Sequence, residues 1–275
     1  MLTLVGAAAV VVAIVSAAPG TPCAMVSDLP GGVEFQEALR VSDLLRLHRL
    51  ISCTYRPGAG VWGLVGPALA QTLGIVFGGL GLAMLLSLAA LWAGSRSERV
   101  DAAAEIVAGG LSSVPAFVAA AVVFRLGMRW MGLRAGWPHA LVAILVLAVA
   151  DGVLVDLLRT LRADLYAADR LDFVRQARAN ADQPRRHLFR ALCVPVSEIC
   201  ASRFTLLLGT AIVVELALQM PGVGVLLWVA AAQRDVPVVV ATTLSLAACV
   251  AVLNMVRDLF QLIADPRLRR LAGAR

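Results

Sequence analysis

Residues 57–95 have the sequence PGAGVWGLVGPALAQTLGIVFGGLGLAMLLSLAALWAGS, which contains no acidic or basic side chain. A helix needs roughly 20 mainly apolar residues to cross the hydrocarbon core of a bilayer, and this uncharged stretch is longer than that. Helices of soluble globular proteins average only about 10–14 residues. The stretch therefore predicts a transmembrane helix, which we place within residues 64–93.

The composition of the whole chain agrees with a membrane location. Apolar residues make up 60% of the 275 positions and charged residues 15%, whereas charged residues make up about 25% of soluble domains. All 24 basic residues are arginines, and most lie in short segments between apolar runs. Arginines placed in this way orient spans in a membrane. The net charge of +6 therefore does not indicate a nucleic-acid partner.

The apolar runs predict an all-α, polytopic membrane protein with about six transmembrane helices. Pro115 lies inside the third run, where it predicts a kink that neighbouring helices accommodate. The predicted spans cover residues 2–18, 64–93, 102–124, 139–158, 196–218 and 238–256.

The same runs divide the chain into three parts. Residues 1–18 form a first transmembrane helix, residues 19–63 an extracytoplasmic segment, and residues 64–275 a five-helix core with a cytoplasmic loop over 159–195. A cleaved signal peptide is the alternative interpretation of the first run, because small residues stand near its end. No arginine precedes that run, which favours a span.

The arginines predict the orientation of the chain. With six spans both termini lie on one side, and that side carries fifteen arginines, eight of them within residues 159–190, against eight on the other side. Loops in the cytoplasm carry the excess of basic residues. We therefore expect a multi-pass membrane protein with both termini in the cytoplasm.

Residues 172–179, with the sequence DFVRQARA, lie in the longest predicted cytoplasmic loop. A short helix with small residues for close approach and arginines for pairing with acidic groups suits docking onto a cytoplasmic partner. The alternative is a solvated basic loop that only orients the membrane spans.

This stretch resembles the cytoplasmic loop of permeases from ABC importers of the dipeptide, oligopeptide and nickel class, which typically read close to DYVRTARAKG. The resemblance continues in order along most of the chain. The further matching segments are PGTP at 19–22, TYR at 54–56, HLFRALCVP at 187–195, VVELALQMPGVG at 213–224, RDVPVV at 234–239, Asn254, Asp258, and DPRLR at 265–269.

The resemblance implies a location in the bacterial inner membrane and the type I ABC-importer permease fold, in which a cytoplasmic coupling helix contacts the ATPase. It also implies four partners besides membrane lipid: two cytoplasmic ATP-binding subunits, a second homologous permease and an extracytoplasmic solute-binding protein. The implied cargo is a peptide or a similar small solute, such as a nickel complex or an opine. The residues carried over to ATPase coupling are Asp172, Arg175, Ala177, Arg178, Ala181, His187 and Arg190.

The chain departs from the family pattern within this loop. Ala181 stands where the family has glycine, Ala191 stands where it has asparagine, and the intervening segment is shorter and contains Pro184. Glycine permits backbone conformations that alanine does not. A divergent, transport-inactive paralogue is therefore an alternative to a working permease.

Three acidic residues fall inside predicted spans, where ionisable groups are functional candidates. We assign Glu215, Asp151 and Asp156 to the translocation path or a subunit interface. Glu215 could instead hydrogen-bond the turn at 221–222. The two aspartates could instead pair with Arg159 or Arg203, because one charge alone in lipid is costly.

The sequence favours a translocation subunit rather than an enzyme. It has no nucleophile-and-base arrangement and no phosphate-binding loop of the GxxxxGK[ST] type. We therefore expect no ATPase site of its own, no cofactor and no metal site, since the five cysteines lack metal-binding spacing. Cys23 and Cys53 lie in the same extramembrane segment, where they either form a disulfide or stay as free thiols.

Two further functions stay open at this point. A stand-alone secondary transporter would need internal repeats or broken helices near mid-membrane, and the sequence shows no internal repeat. A membrane enzyme would need Asp151, Asp156, Glu215 and His139 to converge.

Overall fold

The computed structural model describes residues 52, 60–130, 137–170 and 184–264. The regular secondary structure of these ranges consists of eight α-helices, which confirms the predicted all-α fold. They are α1 Val61–Gly94, α2 Glu98–Ser112, α3 Ala116–Trp130, α4 Trp137–Val149, α5 Val153–Asp169, α6 Pro184–Leu218, α7 Val223–Ala232 and α8 Val236–Ala264.

Three of these helices are long and apolar enough to cross a membrane: α1, the part of α6 from Val194 to Leu218, and the part of α8 from Val236 to Ile263. Two helix pairs, α2 with α3 and α4 with α5, pass the same test as bent spans. Counted in this way, the described residues hold up to five spans, which match the second to sixth predicted spans. The first predicted span, at 1–18, lies outside the described residues, as does most of the segment 19–63.

Both bent spans are broken rather than kinked. The third span turns by 84° between Ser112 and Ala116, because Pro115 lacks an N–H group and its ring blocks the preceding turn. The fourth turns by 49° between Val149 and Val153, where the sequence predicted one continuous helix. Here Asp151 has φ 52° and the next residue, a glycine, has φ 79°. Both residue types adopt this left-handed region more readily than others.

Several helices extend beyond the predicted spans. α5 continues to Asp169 through residues expected to form a loop, and α3 continues to Trp130. The short helix α7 lies within the expected loop 219–237. The extensions of α5 and α3 have one cause: apolar runs end where charged residues begin, whereas a helix can continue past the apolar part of its sequence. The helix α7 is apolar throughout but, at ten residues, too short to be taken as a span.

The chain divides into two compact units. Unit 1 comprises Met1–Gly74 and Ala211–Val252, and unit 2 comprises Ile75–Thr210 and Leu253–Arg275. In unit 1, the first turns of α1 pack with α7 and the start of α8. The buried core of unit 1 contains Val61, Val65, Ala68, Val223, Leu226, Ala230, Val238 and Ala241.

In unit 2, α2 packs against α5 and α3 packs against α4. Ala108 of α2 is buried with Leu154, Val155 and Leu158 of α5. Many large apolar side chains remain exposed; Ile106, for example, is 74% exposed. A lipid environment explains this exposure, since lipid chains cover apolar side chains without cost.

Candidate functional site

The connection between α5 and α6 contains the stretch predicted to couple transport to ATP hydrolysis. α6 begins at Pro184, a residue favoured at the first helical position because its missing N–H would be unpaired there anyway. His187 and Arg190 lie in the first two turns of α6, where the backbone alone is described. The other predicted coupling residues lie outside the described residues: Asp172, Arg175, Ala177, Arg178 and Ala181.

A cluster of charged side chains joins α2 to α5, the helix that leads into this connection. Arg162 lies between two carboxylates of α2, with Nη2 2.5 Å from Oδ1 of Asp101 and Nη1 3.0 Å from Oε2 of Glu105. Nε of Arg159 lies 2.9 Å from Oε1 of Glu105. We call these residues the α2–α5 charge cluster. It joins the middle of α5 to its neighbouring helix α2.

The spacing of the charged residues in the sequence could have predicted this cluster. Asp101 and Glu105 are four residues apart, and Arg159 and Arg162 are three apart. Each of these spacings places two side chains on one face of a helix. Two complementary faces on helices of adjacent spans predict an interhelical ion-pair cluster.

The two helix breaks of unit 2 lie against each other near the middle of their spans. The backbone N–H of Ala116, at the start of α3, donates to Oδ1 of Asp151 at 2.8 Å. The N–H of Asp151 donates to the carbonyl oxygen of Val114 at 3.4 Å. The hydroxyl of Ser112 donates to the carbonyl oxygen of Val149, also at 3.4 Å. Asp151, which lies between α4 and α5, thus caps the N-terminus of α3. These bonds satisfy backbone groups that the breaks would otherwise leave unpaired.

The two mid-span aspartates have separate partners. Oδ2 of Asp156 lies 2.9 Å from Nη1 of Arg203 on α6, which is one of the pairings considered from the sequence. Oδ2 of Asp151 accepts a hydrogen bond of 3.3 Å from the hydroxyl of Thr210. Arg159, the other arginine considered as a partner, binds Glu105 instead. The two carboxylates therefore do not form the shared pair that acid–base chemistry would use.

Glu215 forms the centre of a buried network in unit 1. Its side chain is fully buried; Oε1 accepts a hydrogen bond of 2.6 Å from Thr72 of α1, and Oε2 accepts one of 2.7 Å from the N–H of Gly224. The hydroxyl of Thr72 also accepts a bond of 2.9 Å from the N–H of Val223. These contacts fix the turn between α6 and α7 against α1. A role of Glu215 in the translocation path stays a prediction.

The glycines of the PGVG segment allow this close approach. A Cβ atom at Gly222 would overlap the Glu215 carboxylate, and one at Gly224 would overlap the carbonyl oxygen of Ile212. A second buried carboxylate lies near the start of α8, where Oδ2 of Asp235 accepts a hydrogen bond of 2.6 Å from the hydroxyl of Ser52. The motifs that carry the family resemblance thus include residues that hold the helix connections of unit 1.

The described ranges show no group of three or more His, Cys, Asp or Glu side chains able to hold a metal ion. Thr72, Asp101, Glu105, Arg162 and Thr210 were not singled out from the sequence as functional candidates. The sequence around Thr72 and Thr210 gives no indication, because a threonine inside an apolar helix commonly bonds only its own backbone.

Comparison with known proteins agrees with the motifs. The family described as "Binding-protein-dependent transport system inner membrane component" matches residues 86–270. A Brucella suis protein named as a peptide permease is 29% identical over 231 residues, covering 76% of this chain and 72% of the relative. The oligopeptide transport system permease protein AppB of Bacillus subtilis is 34% identical over 134 residues, covering 47% and 42%.

The glutathione transport system permease protein GsiC of Shigella boydii is 29% identical over 191 residues, covering 66% of this chain and 61% of the relative. The resemblance to permeases of the dipeptide, oligopeptide and nickel class is therefore confirmed. With the apolar spans of α1, α6 and α8, the family match shows that the chain belongs to the inner-membrane components of binding-protein-dependent transport systems, as a multi-pass permease of the ABC importer class.

Proposed function

We propose that this chain is a permease subunit of an ATP-driven importer for peptides or a similar small solute, such as a nickel complex or an opine. The observation that carries the proposal is the family match over residues 86–270, together with relatives named as permeases for peptides, oligopeptides and glutathione. The spans and helix breaks of the structure support a path for a polar solute across the membrane.

The proposed assembly has five proteins. This chain forms one half of the path and a second homologous permease forms the other. Two cytoplasmic ATP-binding subunits bind the connection between α5 and α6, and an extracytoplasmic solute-binding protein delivers the cargo. Asp172, Arg175, Ala177, Arg178, Ala181, His187 and Arg190 would make the ATPase contact.

The proposed orientation places both termini and residues 159–195 in the cytoplasm, as the excess of arginines on that side favours. Residues 19–63 then lie on the outer side with the 219–237 segment, where both can receive the solute-binding protein. Closure of the ATPases around bound ATP would move the connection and, through the α2–α5 charge cluster, the third and fourth spans. The path would open alternately to the two sides.

One observation favours a second candidate, a stand-alone secondary transporter. Such proteins use discontinuous helices near the midplane, and two spans of this chain are broken there. This candidate predicts solute uptake by the purified chain driven by an ion gradient, without ATPases. The importer proposal predicts no uptake by the purified chain without ATPases.

Co-purification from the native membrane tests the assembly. The tagged chain is extracted with a mild detergent, and the proteins recovered with it are identified by mass spectrometry. We expect two ATP-binding subunits, or two copies of one, and a second permease. Recovery of the chain alone, or as a homo-oligomer, would contradict the proposal and favour a stand-alone transporter or an inactive paralogue.

Substitution of the loop arginines tests the coupling assignment. We expect Arg175→Glu together with Arg178→Glu to release the ATP-binding subunits from the purified complex, because reversed charges repel acidic groups on the partner. Arg96→Glu is the matched control, since Arg96 lies in another loop on the proposed cytoplasmic side and stacks on Trp92 of its own chain. If both variants retain the ATPases equally, these arginines do not carry the contact.

A further inference from the structure

The polar centre of unit 2 lies near the middle of three candidate spans. The spans run over Glu98–Gly127, His139–Ala168 and Val194–Leu218. Asp151 lies near the middle of the second, against the break of the first, and Thr210 lies near the middle of the third. These side chains therefore lie near the middle of the candidate spans, away from the ends of each span.

The described charges near the middle of these spans do not cancel. The described ionisable side chains in the middle of these spans are Asp151, Asp156 and Arg203, and Asp156 pairs with Arg203 at 2.9 Å. No described arginine forms an ion pair with Asp151, whose side chain is exposed on the surface of the chain. Among the described side chains, the carboxylate of Asp151 thus has hydrogen bonds but no cationic partner.

An exposed carboxylate near the middle of a span does not face lipid, because a charge in the hydrocarbon region is costly. It faces a water-filled path or another protein. Since ionisable groups inside spans commonly mark the route of a charged solute, a cationic group of the solute is the natural counterpart of Asp151.

We propose that Asp151 and Thr210 form a binding site, within the translocation path, for the α-ammonium group of a peptide. This inference rests on the proposed function of peptide import. Asp151 uses Oδ1 for the N–H of Ala116 and Oδ2 for the hydroxyl of Thr210. A carboxylate offers about four lone-pair positions, so it can accept further N–H bonds from an ammonium group while still capping α3.

Such a site would let one path accept peptides of different sequence. Every unmodified peptide has one α-ammonium group, whatever its side chains. Recognition of that group selects peptides as a class. The hydroxyl of Thr210 keeps Oδ2 directed toward α6, which fixes where the ammonium group binds.

The test separates the charge of Asp151 from its role as a helix cap. Asn at position 151 keeps an acceptor for the N–H of Ala116 and tolerates the left-handed backbone, but it has no charge. Glu keeps the charge but is a poor cap. A binding residue therefore predicts more uptake by Asp151→Glu than by Asp151→Asn, and a structural cap predicts the reverse order.

The measurement is uptake of radiolabelled trialanine into proteoliposomes that contain the complete complex with its binding protein. We expect Asp151→Asn to lower uptake about tenfold, which corresponds to one hydrogen bond to a charged group, and Asp151→Glu to retain most of it. Asp258→Asn is the control, since Asp258 pairs with Arg257 on the exposed surface of α8.

Three results would overturn the site. Uptake unchanged in Asp151→Asn, or higher in it than in Asp151→Glu, would make Asp151 a cap only. Loss of the second permease from the purified Asp151→Asn complex would assign the charge to the subunit interface. If the unaltered complex assembles with its ATPases but takes up no trialanine, the proposal of peptide import is wrong. If the unaltered complex takes up trialanine normally and Asp151→Asn takes up more than Asp151→Glu, only the proposed site is wrong.

Discussion

Replacing Glu215 by alanine is expected to destabilise the chain by about 3 kcal/mol, because the buried N–H of Gly224 loses its acceptor and a cavity forms where the glutamate side chain was. Thr72 keeps a hydrogen bond to the carbonyl of Ala68, so its hydroxyl is not orphaned. The turn between α6 and α7 would lose its attachment to α1. The free energy of unfolding in mixed detergent micelles measures the effect.

The matched control is Glu198→Ala on the same helix. Glu198 accepts an exposed hydrogen bond of 3.1 Å from Gln261, and loss of a surface contact of this kind changes stability by roughly 0.5 kcal/mol or less. Equal losses in the two variants would show that the buried network contributes nothing beyond the removal of a glutamate. Glu215→Gln is expected to fall between them, because its amide keeps one acceptor oxygen for Gly224.

Reversing the charge of Arg162 is expected to reduce the yield of folded, monodisperse chain several-fold. Arg162 bridges Asp101 and Glu105, and its side chain is only 20% exposed. Arg162→Glu would therefore place three carboxylates together, and their like charges would repel one another. The measurement is the amount of chain recovered as a single species after extraction, followed by size-exclusion chromatography.

A charge swap tests whether the loss arises from this contact. Combining Arg162→Glu with Asp101→Arg restores an opposite-charge pair across the two helices and leaves the pair of Arg159 with Glu105 intact. We expect this double variant to recover much of the yield. Arg257→Glu is the control, because Arg257 pairs with its exposed neighbour Asp258. Equal yields for the single and double variants would show that the helices do not depend on the ion pairs.

The positions of the spans were predictable from the sequence where a long stretch lacks charged residues. The uncharged stretch 57–95 predicted a helix at 64–93, and α1 occupies Val61–Gly94. The break at Ala150–Gly152 was missed, because the apolar residues on both sides favoured one continuous helix, although an Asp-Gly dipeptide is typical of turns. The break depends on Asp151 binding the start of α3, 35 residues earlier in the chain.

The candidate site was predictable in its residue types but not in its contacts. Acidic residues inside apolar spans pointed to Asp151, Asp156 and Glu215 by the cost of burying charge. Their partners depend on the packing of helices: Thr72 is 143 residues from Glu215 in sequence. The predicted coupling loop rests on its motif, since residues 171–183 lie outside the described residues.

The α2–α5 charge cluster has a consequence for the order of biosynthesis. The two carboxylates of α2 leave the ribosome before Arg162, which follows Glu105 by 57 residues. At about 5–20 residues per second, several seconds pass during which this helix has its acids but no counter-charge. The third span therefore cannot settle at its final depth when it is made. We expect it to remain accessible from the aqueous side until the fourth span has been synthesised.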